Sequence, residues 1–598
     1  MIDHVSRPTC CRVVVDHKLV AVLVLVLLAV FLACKGLSPS PPPSPSSTLN
    51  LTTAGENQTT LTSVVPTTAS STTQRSRYAI LPAGIDVTPS PTQTIQPAPL
   101  GTIPSSYFGL HAVRGAGFPL AVSYGNFRLW DAGPTVQWQG LHVCNSTDAN
   151  CQSNPQANTS LSTSALDGIL SNLYSAGVND VFYTGGRVPA WAQGTANYSL
   201  RCNYGRGSCV LPAEMNPDGS CSGANSTCSI WDTFWHLLAT HVNSPTFLQT
   251  HAHIRYYEPW NEWFEDPVIG GVFSGTEVNA SWAEMLRMTE DMRCVIKGVG
   301  TIHNYPTAGR SVSCGFYLST LGWSGADANA VIVAPDSNDG CCTDVMQNFL
   351  YCNRSPQNDN GSSSTCTWVP SSNNPANCDS SSCWGSAAVD AINMHFYFND
   401  DQPEQEELKI THFKSLLSSA DAAKPLINGE ASSGVQGYRN NIWNDNYSAA
   451  AGLVRAHALD WSAGITLFYW YAYNTSGILY NAGLTPQGMA YNTAYQWLVG
   501  STPVKSPFCS QTGTVYTCPL VESNGRAAEI VWDSQYGPGG TTPPSNCSAF
   551  AQPKICGSTS YTVPAVYQNG DWVDSGGTAH VYISPVTIGA APILIEGP

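Results

Sequence analysis

Two apolar runs in this chain each end in a glutamate. One reads Tyr256-Tyr257-Glu258-Pro259-Trp260-Asn261-Glu262-Trp263. The other reads Pro425-Leu426-Ile427-Asn428-Gly429-Glu430-Ala431-Ser432. Glu262 sits in an aromatic cluster, where apolar neighbours disfavour a carboxylate's charge and raise its pKa. That is the property a general acid needs near neutral pH. Glu258 and Glu265 read as ordinary exposed loop carboxylates. Glu262 and Glu430 are 168 residues apart in sequence. Brought together across a cleft, two carboxylates are the minimum equipment for glycoside hydrolysis. A separation of about 5–5.5 Å permits double displacement with retention, and a wider gap admits a water and inverts.

Other residues could serve that chemistry. Asn261 could donate a hydrogen bond to a sugar 2-hydroxyl. His395 and Tyr397 are two apart, so on a strand they share a face. Tyr397 is expected to hydrogen-bond Glu430 and His395 to contact a sugar hydroxyl. Arg128 is expected to lie near Glu430 and depress its pKa, keeping it a nucleophile. Trp470 is the expected sugar platform, and Trp138 and Trp191 are candidates for the cleft wall. His251-Ala252-His253 lacks a third metal ligand and precedes a strand, on the non-catalytic face. No metal and no cofactor is expected. No GxSxG elbow supports a serine esterase.

These residues need a scaffold, and the sequence supplies one. Eight β-rich runs stand at Tyr107–His111, Phe127–Trp130, Asp180–Thr184, Ile254–Pro259, Val331–Ala334, Ala391–Tyr397, Pro425–Glu430 and Ile465–Tyr471. Between most of them lie helix-like segments such as Ser164–Ala176, Ser281–Lys297, Glu406–Ala420 and Asn446–Ala463. Repeated strand–helix alternation with near-continuous apolar strands indicates an α/β fold, a (β/α)8 TIM barrel over residues 101–500. A doubly wound sheet is the alternative, but no Gly-rich phosphate loop follows an early strand. Glu262 and Glu430 end the fourth and seventh strands, which face one another across a barrel mouth. Cysteine-rich insertions near 196–230 and 340–385 follow the third and fifth strands and are expected to wall the cleft. From 501 to 598 helical periodicity gives way to short alternating runs, which read as a β-sandwich packed on the barrel.

Composition sets the context. The formal charge of −16, with no basic cluster, argues against a nucleic-acid partner. Twenty-one cysteines are too many for an ordinary cytosolic enzyme. Eighteen of them run from Cys144 to Cys556, an even number that allows up to nine disulfides. The 17 Trp and 26 Tyr suit sugar stacking and a β-rich core equally. Leu19–Ala33 is an apolar run preceded by Arg7, Arg12 and Lys18, so residues 1–35 read as an export signal or anchor. Residues 19–34 could be cleaved, retained as a membrane tether, or lipidated at Cys34. Residues 36–100 are rich in Pro, Ser and Thr and read as an extended stalk. Sequons such as Asn50, Asn145, Asn279 and Asn446 are compatible with export.

The motifs carry a resemblance. Trp260-Asn261-Glu262 on strand four, with Glu430 on strand seven, resembles the acid/base and nucleophile pattern of clan A glycoside hydrolases. Within the clan the chain is most similar to glycoside hydrolase family 39 and related secreted barrels. Phe127-Arg128-Leu129-Trp130-Asp131, His395-Phe396-Tyr397 and Tyr469-Trp470 also match, as does the terminal run Pro592-Ile593-Leu594-Ile595-Glu596. The resemblance covers about 101–598 and implies retention, with Glu262 as acid/base and Glu430 as nucleophile. The long cysteine-rich insertions are not part of the common pattern. The expected protein is a monomeric, secreted or tethered hydrolase of a β-linked poly- or oligosaccharide. The alternatives are a transglycosylase and an inactive wall protein that only binds carbohydrate.

Overall fold

The computed structural model describes residues 101–112, 117–142, 161–193, 207–216, 219–223, 227–263, 280, 282–303, 311–337, 343–351, 384–398, 401–433, 443, 445–475, 479–542, 544, 546–568, 570–581 and 585–598. The export segment, the stalk, Glu265 and six cysteines of the second insertion (Cys341, Cys342, Cys352, Cys366, Cys378, Cys383) lie outside the described residues.

Eight strands form one parallel sheet. They are β1 (Phe108–Leu110), β2 (Asn126–Leu129), β3 (Asp180–Thr184), β4 (His253–Glu258), β5 (Val331–Ile332), β6 (Ile392–Met394), β7 (Leu426–Ala431) and β8 (Ile465–Trp470). The order across the sheet is β5-β4-β3-β2-β1-β8-β7-β6. A parallel bridge between Val333 and Ala391 joins the two edges, with Ala334 N donating to Ala391 O at 2.9 Å. The sheet therefore curls into a barrel, as the spacing of the eight apolar runs predicts. Phe182, Val333, Ala391, Ile427, Leu467 and Tyr469 fill its interior. The strands read as continuously apolar because their outer faces pack on helices.

The helices include α1 (Ser164–Ser175), α2 (Ser229–Val242), α3 (Trp282–Lys297), α4 (Pro403–Ser415), α5 (Asn446–Ala463) and α6 (Pro486–Leu498). The sequence predicts a helix over Glu406–Ala420. The observed α4 starts three residues earlier, because Pro403 suits the first helical turn, where its missing N–H has no partner to lose. α5 is capped at one end by Asp445, which accepts from Ser448 N at 2.9 Å, and at the other by Gly464 in the left-handed region. It is buried on nearly all sides from Ser448 to Ala463, so it lacks the polar face of a surface helix.

The reason lies in the C-terminal region. Seven antiparallel strands between Thr502 and Glu596 form one sheet, and Thr559–Tyr561 pairs with Val586–Ile588 in a second. Val531, Val563, Val586, Ile588, Ile593 and Ile595 make a core of their own. On the main sheet's other face, Tyr516, Cys518, Leu520, Ile530, Trp532 and Leu594 join the same apolar core as the barrel's helices. Trp532 Nε1 donates to Glu404 Oε1 at 2.7 Å, and Glu404 pairs with Arg455 of α5. The sandwich is thus a structural partner of the barrel.

Disulfides join Cys221–Cys228, Cys294–Cys314, Cys509–Cys518 and Cys547–Cys556. Such bonds persist in an oxidising compartment. Among the described residues no helix is long and apolar enough to cross a membrane.

Candidate active site

Glu430 lies in β7, almost wholly buried, with its side chain at the barrel mouth. Arg128 Nη1 donates to its Oε1 at 2.8 Å and the Tyr397 hydroxyl donates to Oε2 at 2.8 Å. The preceding Gly429 has no room for a side chain. A Cβ there would lie 2.4 Å from the Asn393 amide. Glycine lets two strands' interior groups meet directly beneath the carboxylate.

Burial pushes Glu430 up to about 7; the nearby Glu262 adds to the rise, while His395 and Arg128 oppose it. Arg128 lies beside Glu430 and lowers its pKa, as expected, but burial outweighs it. Arg128 is wholly buried and shared among several oxygens. Its Nη2 donates to Glu258 Oε2 and Asp336 Oδ2, both at 2.5 Å, and to Asn261 Oδ1 at 2.8 Å. One cation divided among three carboxylates does not offset the desolvation of Glu430. Nor does buried Arg128 offer a donor to substrate, so its place as a sugar ligand is corrected to that of an organiser.

Glu262 stands just beyond β4 with φ at 47°, in the left-handed region that side chains rarely adopt. Its backbone N–H donates to Asp336 Oδ1, which holds the turn. Its carboxylate Oε1 accepts from His395 Nδ1 at 2.9 Å. His395 Nε2 in turn lies 2.7 Å from Asp336 Oδ2. Burial works against a charge on His395, but Asp336 and Glu430 overcome it and hold the imidazolium well above its ordinary pKa. Asp336 is likewise buried, yet His395 and Arg128 keep it below the usual carboxylate range. One oxygen of Glu262, one of Glu430 and one ring nitrogen of His395 all lie within 4.8 Å of one another. These three are close enough to chelate a cation. His395, however, is held as a double donor and has no lone pair to give.

Four further expectations need correction. His395 is fully buried with both nitrogens bonded to carboxylates, so it does not meet a sugar hydroxyl. Trp470 is fully buried on the outside of the barrel, stacked on His457 with ring centroids 6.1 Å apart. Alternation along β8 is the cause. Leu467 and Tyr469 point inward, so Phe468 and Trp470 point to the helices. Trp138 is also fully buried, stacked on Phe234 of α2 at 5.0 Å. Glu258 is not an exposed loop carboxylate. It is completely buried, bonded to Arg128, Thr184 Oγ1 at 2.7 Å and Asn393 Nδ2 at 2.6 Å, and burial raises it to about 8.

The remaining candidates fall as follows. Asn261 turns its oxygen to Arg128, which leaves its amide hydrogens for another acceptor. Trp191 is half-buried and donates to the His142 carbonyl at 2.9 Å. His253 pairs with Asp327 at 2.9 Å, and His251 stacks on Phe247, both at the start of β4.

Sequence reasoning passed over four residues at the mouth. Asp336 follows β5 in Ala334-Pro335-Asp336-Ser337, a carboxylate ending an apolar run like the two glutamates. His111 follows β1, Asp131 follows β2 and Tyr471 follows β8. Tyr471, one step beyond Trp470, is partly exposed, and its hydroxyl bonds Asp131.

No family model matches the sequence, and no curated protein matches it. Solved structures do. A family 39 glycoside hydrolase from the gut symbiont Bacteroides cellulosilyticus WH2 is similar over 83% of this chain and 81% of its own, at 11% identity and a TM-score of 0.47. The GH51 arabinofuranosidase from Xanthomonas axonopodis pv. citri matches 84% of this chain and 98% of its own, at 10% identity and a TM-score of 0.42. The catalytic domain of GH30 xylanase C from Talaromyces cellulolyticus matches 83% and 99%, at 8% identity and a TM-score of 0.41.

Proposed function

We propose that this chain is a retaining glycoside hydrolase that cleaves a β-linked glycan outside the cytosol. The observation that carries the reading is the Glu262–Glu430 pair, with oxygens within 4.8 Å at the mouth of the barrel. That spacing is consistent with the close pair of double displacement, and leaves little room for the water that inversion requires.

The roles follow from the surroundings. Glu430 is held from both sides by Tyr397 and Arg128, which fixes its oxygens for attack on the anomeric carbon. Glu262 is the more exposed of the two and projects from a turn rather than a strand. It protonates the leaving oxygen as Glu430 forms the glycosyl ester. It then takes a proton from water as that ester is hydrolysed. His395 and Asp336 hold Glu262 in place through both its carboxylate and its backbone. Residues 19–34 serve as the export signal or tether, and the enzyme acts as a monomer.

The test is a glycan-panel assay of residues 101–598, with product anomers followed by NMR. Glu430→Gln and Glu262→Gln are expected to abolish hydrolysis of the natural glycan. Full activity in either variant would sink the assignment, as would first-formed product of inverted configuration. A wild type inactive across the panel would favour a binding protein.

A further inference from the structure

The line through β4 and β7, which carry the two glutamates, divides the barrel mouth into unequal flanks. One flank is β5 and β6. Its mouth residues Asp336, His395 and Tyr397 are all buried and all bonded to the pair or to its supports. The other flank includes β8, β1 and β2, which are adjacent in the sheet. There Asp131 and Tyr471 are both partly exposed. An oxygen of Asp131, a ring nitrogen of His111 and an oxygen of Glu430 lie within 4.8 Å of one another. His111 Nε2 faces the Gly429 carbonyl at 2.9 Å, while its buried Nδ1 has no partner among the described residues. Burial raises Asp131 above the ordinary carboxylate pKa, and the Tyr471 hydroxyl and Arg187, which lies over the Trp130 ring at 5.8 Å, act against that rise.

We infer that Asp131 selects the glycone: its carboxylate accepts a hydroxyl of an uncharged sugar and turns away a sugar that carries a carboxylate of its own. The inference rests on the glycosidase reading and deepens it. A carboxylate this close to the nucleophile's oxygen faces the ring whose anomeric carbon that oxygen attacks. Tyr471 and Arg187 favour its ionised form against burial, and in that form it has no proton to give and only accepts. A hydroxyl satisfies it. A uronic acid would place a further anion beside Glu262, Glu430 and Asp131, where Arg128 is already committed to three carboxylates. Tyr471, presenting an aromatic ring from the same flank, is the adjoining wall.

The test uses p-nitrophenyl β-D-glucoside, xyloside, galactoside and glucuronide, followed by the monodeoxy analogues of the fastest. Wild type is expected to prefer a neutral sugar over the glucuronide. One deoxy position is expected to cost it roughly 10- to 100-fold in kcat/KM, the worth of a hydrogen bond to a charged group. Asp131→Ala is expected to lose a similar factor on the parent sugar and nothing further on that one deoxy analogue. Asp131→Asn should narrow the gap between glucoside and glucuronide. A uniform loss on every analogue would mean a structural role and overturn the inference, and so would a glucuronide preference in wild type. 2-Deoxy-2-fluoro glycosyl fluorides of the same sugars, with intact-mass detection at Glu430, separate the two failures. No turnover and no labelling by wild type defeats the glycosidase reading itself. Normal labelling of both wild type and Asp131→Ala, without a hydroxyl-specific coupling, defeats only the role of Asp131.

Discussion

In the proposed double displacement Glu430 attacks as the ionised carboxylate. Burial and the charge of Glu262 raise Glu430 to about 7. Below that pH Glu430 carries a proton and cannot act as the nucleophile. As pH rises through about 7 Glu430 ionises and can attack. The profile of kcat/KM is therefore expected to fall on its acid side with an apparent pKa near 7. Glu262→Gln removes a charge that raises Glu430, so on substrates whose leaving group needs no acid that limb should move to lower pH. An unchanged limb in the variant would assign it elsewhere. Tyr397 offers a second check. Its hydroxyl donates to Glu430 and favours the charged form. Tyr397→Phe is expected to lower kcat by roughly 10- to 100-fold, the worth of a hydrogen bond to a charged group. The acid limb should also move upward, because the charged form has lost a donor. A lower kcat with an unmoved limb would contradict the electrostatic role.

At the scale of the element, β8 makes a contrast that mutagenesis can read. Trp470 points out to α5 and Tyr471 points into the mouth. Trp470→Ala removes a fully buried side chain and is expected to cost about 3–5 kcal/mol of stability. Tyr471→Ala should leave thermal stability nearly intact and lower kcat/KM. The reverse pattern, from melting curves and kinetics on the same preparations, would mean that the alternation is misassigned. The strands themselves were legible because near-continuous apolar runs recur eight times, and each glutamate ends one of them. Side-chain direction at the strand ends was less so. Choosing Trp470 as a platform weighed residue type above parity, and Tyr469 already belongs to the barrel interior. Glu258 was misjudged in the same way. Tyr256 lines the interior, so Glu258, two residues on, had to follow it inward. The ion network was out of reach for a different reason. Arg128 from β2 meets Glu258, Asp336 and Glu430 through pairings that span 130, 208 and 302 residues. No local pattern encodes which carboxylates share one cation.

The whole molecule explains why α5 carries so few surface-type residues and why no linker precedes residue 501. The barrel's helices on that side are covered by the sandwich, so the two layers share an apolar core. Glu404 shows how closely they are joined. It is buried, paired with Arg455 of the barrel and bonded by Trp532 of the sandwich. Without the sandwich, Trp532 and Leu594 would leave that core and the apolar sides of α5 would face water, an aggregation-prone patch. A chain ending at residue 500 is therefore expected to be insoluble or to lack cooperative unfolding, rather than simply to bind glycan less tightly. Trp532→Ala in the intact chain gives the graded version. It deletes a buried aromatic and leaves Glu404 without one of its donors, at a cost of about 3–5 kcal/mol. Its kcat should match wild type below the melting range, because Glu262 and Glu430 sit at the barrel mouth and are not among its partners. A soluble 1–500 chain with a wild-type melting temperature would show instead that the sandwich is an independent module. Its Trp and Tyr residues would then be candidates for glycan binding.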